Sequence, residues 1–107
     1  MKDYPPAIRA FVEATNAADT EAFLAAFTPD THLDDWGRVF TGRAGVRAWN
    51  ETDNIGVQAH FDVVTVVEGA DPDTFVATLT VTGNGYNGTG PMTFRLRDGL
   101  IADLRIA

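Results

Sequence analysis

Thr31-His32-Leu33-Asp34-Asp35-Trp36-Gly37-Arg38-Val39-Phe40-Thr41-Gly42 decides how the chain folds, because it reads as strand between two helical stretches. The segment predicts a short strand over Thr31 to Trp36 that turns at Gly37. It also gathers two carboxylates, an imidazole, an indole and a guanidinium, so a functional site is expected to include it.

Upstream, Pro5 and Pro6 suit a first helical turn, where a missing N–H costs little. Ile8, Phe11 and Val12 follow at i, i+3, i+4 spacing and predict an amphipathic helix. Asp19 can cap a second helix, Thr20 to Phe27, with Phe23, Leu24 and Phe27 buried. Thr28-Pro29-Asp30 stops it, since a residue before proline resists the helical region. Downstream, Thr41 caps a third helix from Gly42 to about Asn50, with Val46 and Trp49 as apolar contacts. Asp53 to Gly56 reads as loop.

From Val57 the period changes to two. Val57 to Glu68, Thr74 to Thr82, Met92 to Arg97 and Leu100 to Ile106 are strands rich in Val, Thr, Phe and Leu, separated by turn residues. Helices followed by a meander predict one α+β domain over residues 1–107, its helices packed on one face of a curved antiparallel sheet.

The composition narrows the function. A net charge of −7, with eight scattered Lys and Arg, excludes nucleic acid as a partner and disfavours anionic membranes. No run reaches membrane-spanning length and no signal-like segment opens the chain, so a cytoplasmic protein is expected. Cysteine and serine are absent, which removes thiolate and serine nucleophiles. His32, Asp34, Asp35 and His60 lack the spacing of a metal site, and neither a metal nor a cofactor is expected. Gly83-Asn84-Gly85-Tyr86-Asn87-Gly88 spells G-x-G-x-x-G, but a nucleotide site needs that motif to open a helix, and more strand follows here. It reads as a loop whose Tyr86 closes over a pocket mouth.

The Asp34-Asp35 pair remains. Consecutive strand residues point to opposite faces. If Leu33 faces the core, Asp35 lies beside it in an apolar cavity; if Trp36 marks the inner face, His32 and Asp34 line the pocket with it. A third reading makes both aspartates surface turn residues. Burial disfavours the ionised carboxyl, the condition under which a carboxylate serves as a general base near neutral pH.

Phe23-Leu24-Ala25-Ala26-Phe27-Thr28-Pro29-Asp30, then Asp-Asp-Trp-Gly, then Phe40-Thr41-Gly42 opening a helix before a meander, resembles the NTF2-like superfamily. Within it the chain resembles the small SnoaL-like and ketosteroid-isomerase-like domains. The resemblance implies a cone: three N-terminal helices held in a strongly bent, mixed sheet around an apolar cavity. It further implies a small hydrophobic ligand and a homodimer through the outer face of the sheet. The isomerase pattern places its general base in a Val-Glu-Asp-Pro-like motif, and Leu33-Asp34-Asp35-Trp36 then puts Asp35 at the base. Its oxyanion tyrosine and protonated aspartic acid fall on Phe11 and Met92, so that half of the catalytic set does not carry over. The Asp-Arg-Asp set of the epoxide hydrolases finds no place, because no arginine reads as inward.

Two functions are therefore expected. In one, a cofactor-independent isomerase, cyclase or lyase uses Asp35 as general base on a hydrophobic carbonyl compound. Phe11, Phe27, Trp36, Trp49 and Met92 form its walls, with His60 and Tyr86 as hydrogen-bonding partners. In the other, the same pocket binds a ligand or supports a dimeric scaffold without catalysis.

Overall fold

A computed structural model describes residues 4–106. The elements run α1 (Pro6–Asn16), α2 (Thr20–Ala25), β1 (Phe27–Asp35), β2 (Arg38–Thr41), α3 (Gly42–Asp53), a 3-10 turn (Ile55–Val57), β3 (His60–Glu68), β4 (Thr74–Thr82), β5 (Gly88–Arg97) and β6 (Leu100–Ile106). The six strands form one sheet in the order β2-β1-β6-β5-β4-β3. β1 is parallel to β6 and every other pair is antiparallel. The fold is the α+β, mixed-sheet architecture that the resemblance implies. No described helix is long and apolar enough to cross a membrane.

The second helix is shorter than its apolar pattern predicts. It ends at Ala25, because Ala26 and Phe27 already pair with β6: Ile101 N–H donates to the Ala26 carbonyl at 2.8 Å and Phe27 registers with Ile101. β1 thus begins well before Thr31, and its register with β6 slips between Phe27 and His32, the stretch that holds Pro29. A proline cannot donate to a ladder, so it falls where pairing is already broken. Asp19 caps α2 as expected, its Oδ1 accepting from Ala22 N–H at 3.1 Å.

α3 outruns its predicted end. Asn54 caps it from inside the protein, its Nδ2 donating to Thr15 Oγ1 and to Asn50 Oδ1, each at 3.0 Å. Such buried polar links cost little only when paired, and they turn a predicted loop into a fixed joint. The Thr41 side chain makes no capping bond. β3 starts at His60, after Gln58 adopts a left-handed conformation, and β5 starts at Gly88, ahead of the apolar run at Met92.

The helices cover one face of the sheet. Phe11 on α1 is fully buried at the centre, 5.4 Å from Phe23, 5.2 Å from the stacked Phe61 and 5.2 Å from Phe94, ring centre to ring centre. Five phenylalanines from α1, α2, β1, β3 and β5 therefore meet in one cluster, completed by Phe27 at 6.2 Å from Phe11. Burying each ring contributes about 1.5–3 kcal/mol. The outer face carries His32, Asp34, Thr93, Arg95, Asp103 and Arg105, which line a shallow depression there.

Candidate functional site: a cleft beside the first hairpin turn

The cluster of rings does not extend along the whole inner face. β1 ends at Asp35 and β6 at Ile106, and these two residues are in register. β5 pairs with β6 only from Met92 onward, so Gly88 to Pro91 continue beside β4 alone. An open cleft of about 310 Å³ lies beside these residues. Phe61, Leu79, Val81, Met92 and Ile106 form its sheet wall, and Trp49, Asp53, Asn54 and Val57 the opposite side.

Asp35 reaches the cleft by simple alternation. Thr31 and Leu33 are buried and His32 is exposed, so Asp35 shares the inner face with Leu33. Its side chain is 15% exposed. Asp34 points the other way, and its Oδ1 accepts from Gly37 N–H at 2.8 Å, bracing the turn.

That turn sets the chemistry. Trp36 and Gly37, at φ 52° and 89°, are the whole connection between β1 and β2. Positive φ at both positions is the signature of a type I′ hairpin, which matches the twist of the strands it joins. Asn or Asp usually fills the first position. Here a tryptophan adopts a conformation uncommon for a bulky side chain. Its backbone N–H donates to the Ile106 carbonyl at 3.0 Å, and the residue stands 77% exposed at the cleft rim.

Because the loop has two residues, Asp35 and Arg38 face each other across the strands. Arg38 Nη2 donates to Asp35 Oδ2 at 2.7 Å. The indole N–H of Trp49 donates to the same Oδ2 at 3.0 Å. Trp49 is buried and stacked on Phe23, so this donor is fixed by packing. The Arg38 guanidinium also approaches Asp53 Oδ1 at 3.3 Å from the end of α3. The carboxylates of Asp53 and then Asp35 push Arg38 above its already high ordinary value, so it is a permanent cation. One cation between two carboxylates leaves the polar side of the cleft with a single uncompensated negative charge. No hydrogen bond among the described residues reaches Asp35 Oδ1, which leaves that oxygen able to accept a proton or a ligand's hydrogen bond.

The expected site residues divide. Asp35, Trp36, Trp49, Tyr86 and Met92 line the cleft. Phe11 and Phe27 do not: both are fully buried in the ring cluster, which separates them from the cleft. His60 is also no part of it. On β3 it lies outward, its Nε2 3.5 Å from Asp62 Oδ1, while its neighbour Phe61 turns inward. The expectation that no arginine faces inward is corrected by Arg38. Its signal was present, since Asp35 and Arg38 flank a two-residue Trp-Gly loop. Asp53 had no such signal, because its place depends on the length of α3. Among the described residues no three His, Asp or Glu side chains gather as a metal shell.

The G-x-G-x-x-G segment opens no helix. Asn87 ties it into a compact loop, Nδ2 donating to the carbonyls of Gly83 at 2.9 Å and Gly85 at 3.1 Å, and Oδ1 accepting from Gly83 N–H at 3.2 Å. Tyr86 stands exposed at the rim and lies over Gly88, where an added Cβ would come within 2.4 Å of the phenol oxygen.

Solved structures share this architecture. A Sinorhizobium meliloti protein provisionally assigned as a polyketide cyclase is 24% identical, with 98% of this chain and 96% of that one covered at a TM-score of 0.88. A Mycobacterium tuberculosis protein in complex with estradiol-17beta-hemisuccinate is 20% identical, over 92% of this chain and 88% of that one, at a TM-score of 0.80. The Delta 5-3-ketosteroid isomerase of a Mycobacterium species is 21% identical, over 92% and 87%, at a TM-score of 0.77. These likenesses establish the fold. No curated protein matches in sequence. Residues 8–104 match the profile of the SnoaL-like domain, and the chain belongs to that family.

Proposed function

We propose that the cleft binds a small hydrophobic carbonyl compound and that Asp35 acts on it as a general base. One observation carries the reading: an aspartate at the edge of a cleft whose sheet wall is apolar, with Oδ2 held by two donors and Oδ1 without a partner among the described residues. The two donors fix the plane of the carboxylate, which holds Oδ1 in one place, and a positioned base contributes about 100- to 10,000-fold. The estradiol-17beta-hemisuccinate complex of the Mycobacterium tuberculosis neighbour supports a ligand with a large apolar body.

The test is elimination of a benzisoxazole, an activated C–H acid, with quenching of Trp36 and Trp49 fluorescence as an independent measure of binding. Wild type is expected to turn the probe over, and Asp35→Asn to lose at least about 100-fold while still binding it. An apolar epoxide belongs in the same panel, since Asp35, Arg38 and Asp53 have the composition of the Asp-Arg-Asp set. Binding without turnover by either protein would select the non-catalytic reading, which the absence of donors at Phe11 and Met92 favours. We extend the proposal to a homodimer through the outer face of the sheet; sedimentation at micromolar concentration tests it, and a monomer there would remove it.

A further inference from the structure

We infer that Arg38 is the carbonyl anchor of this cleft, the electrophilic partner that receives the ligand oxygen while Asp35 takes the proton. The inference rests on the reading of Asp35 as a base.

Arg38 lines the cleft, yet the protein uses only part of it. Both carboxylates take the same nitrogen, Nη2, at 2.7 Å for Asp35 and 3.3 Å for Asp53. No hydrogen bond among the described residues reaches Nη1 or Nε. The side chain is 55% exposed, so those donors are open to an incoming molecule. It is nevertheless held in place. The Phe40 ring lies under the guanidinium at 5.6 Å, and the two aspartates pin one corner of the fork. A fixed cation with unused donors, directly beside a free carboxylate oxygen, has the form of an electrophile–base pair.

The charge balance gives the arrangement its use. In the resting cleft Arg38 offsets Asp35. When Asp35 Oδ1 removes a proton α to a carbonyl, the ligand C–H bond breaks and an O–H bond forms on Asp35. The electron pair moves into the new C=C bond, and charge develops on the carbonyl oxygen. Asp35 becomes neutral as the ligand becomes an oxyanion. Arg38 then faces the new charge without moving, and donors aimed in advance at a developing charge are the effective kind. Phe11 and Met92 offer nothing of this sort. Asp53 is a positioning residue, keeping Arg38 tethered when Asp35 loses its charge. The order of events also defines the reacting group: a neutral ketone or ester, whose charge appears only as Asp35 takes the proton.

A naphthol tests this without needing turnover, because its hydroxyl oxygen stands for the enolate and its ionisation changes its fluorescence. Bound to wild type, 2-naphthol is expected to ionise about one pH unit or more below its midpoint in Arg38→Met, a tenfold effect or greater on that equilibrium. Methionine keeps a long apolar stem over Phe40, and Arg38→Lys should recover part of the shift by restoring the charge. Equal midpoints in wild type and Arg38→Met, with the probe bound to both, would overturn the inference. If benzisoxazole turnover still falls in Asp35→Asn under those conditions, the base stands and only the anchor is lost. Failure of wild type to bind 2-naphthol at millimolar concentration would remove both readings. A melting curve on each variant detects misfolding, and should Arg38→Met fail to fold, the lysine variant alone decides by whether its midpoint stays near that of wild type.

Discussion

β1 carries two aspartate–arginine pairs, one midway along it and one at its end, and the two have little in common beyond their chemistry. Asp30 meets Arg97 of β5, with both side chains largely in solvent. Asp35 meets Arg38 across a two-residue turn, on the wall of a cleft, with a buried indole as second donor. An exposed pair must hold two long side chains against water and salt, and contributes little. At Asp35 the turn and the packing of Trp49 have already fixed the partners, so less freedom is lost in bringing them together. The difference lies in the strands and not in the residues. Asp30 lies where β1 breaks register with β6, and Asp35 at the last residue of β1, beside the turn into β2.

The largest effects should fall on the cleft pair alone. Asp35→Asn is expected to abolish benzisoxazole turnover by at least about 100-fold, and Asp30→Asn to leave it unchanged. Equal losses would mean that the assignment of one site and one surface pair is wrong. Next comes Trp49→Phe. It keeps a ring against Phe23 but removes the donor to Asp35 Oδ2, and a hydrogen bond to a charged group is worth about 1.5–3 kcal/mol. Urea unfolding should show that loss, and turnover should fall with it because Oδ1 is held less firmly. An unchanged midpoint would show that the indole contact contributes packing only.

Much of this was legible in the chain. β4 and β6 run where alternation places them, and alternation puts Asp35 on the face of Leu33, though the sequence left open whether Leu33 or Trp36 marks the inner side. Periodicity could not tell where an apolar residue ends up along a face. Phe11 and Phe27 have the pattern of an inner wall, but a ring cluster encloses them, while Met92 with the same pattern borders the cleft. That distinction depends on strand pairing, which sets Met92 in register with Ile106 and Ile106 with Asp35, and pairing leaves no mark at residues 11, 27 or 92. The Asp53 contact was hidden for a similar reason. It needs α3 to run past Asn50, and what extends the helix is the buried link from Asn54 to Thr15, far upstream. Arg38 is the instructive case, since its place follows from counting two residues in a Trp-Gly loop.

Gly37 tests whether the turn sets the cleft pair. Its φ of +89° lies in the left-handed region and nothing stands within 4 Å of an added Cβ, so Gly37→Ala is a change of backbone preference with no clash. The expected cost is about 1–2 kcal/mol in stability. Because the same turn holds Asp35 opposite Arg38, binding of a neutral ketone should weaken alongside. A stability loss with undiminished affinity would separate the turn from the site.

The smallest effect belongs to the solvent pair, and its pH dependence has a definite sign. The hydrogen bond from Arg97 holds the Asp30 carboxyl below its ordinary value of 3.8. A carboxyl depressed in the folded state stabilises it above the unfolded value, and that contribution is lost as pH falls through the folded one. Wild type should therefore melt slightly above Asp30→Asn near neutral pH, and the two curves should converge as the solution is acidified below the ordinary carboxylate range. Salt near 1 M should shrink the neutral-pH difference, since screening then acts over about 3 Å. A difference that survives both acid and salt would mean that Asp30 acts through the broken register of β1 and not through its charge. In that case the two pairs would be more alike than their exposure implies.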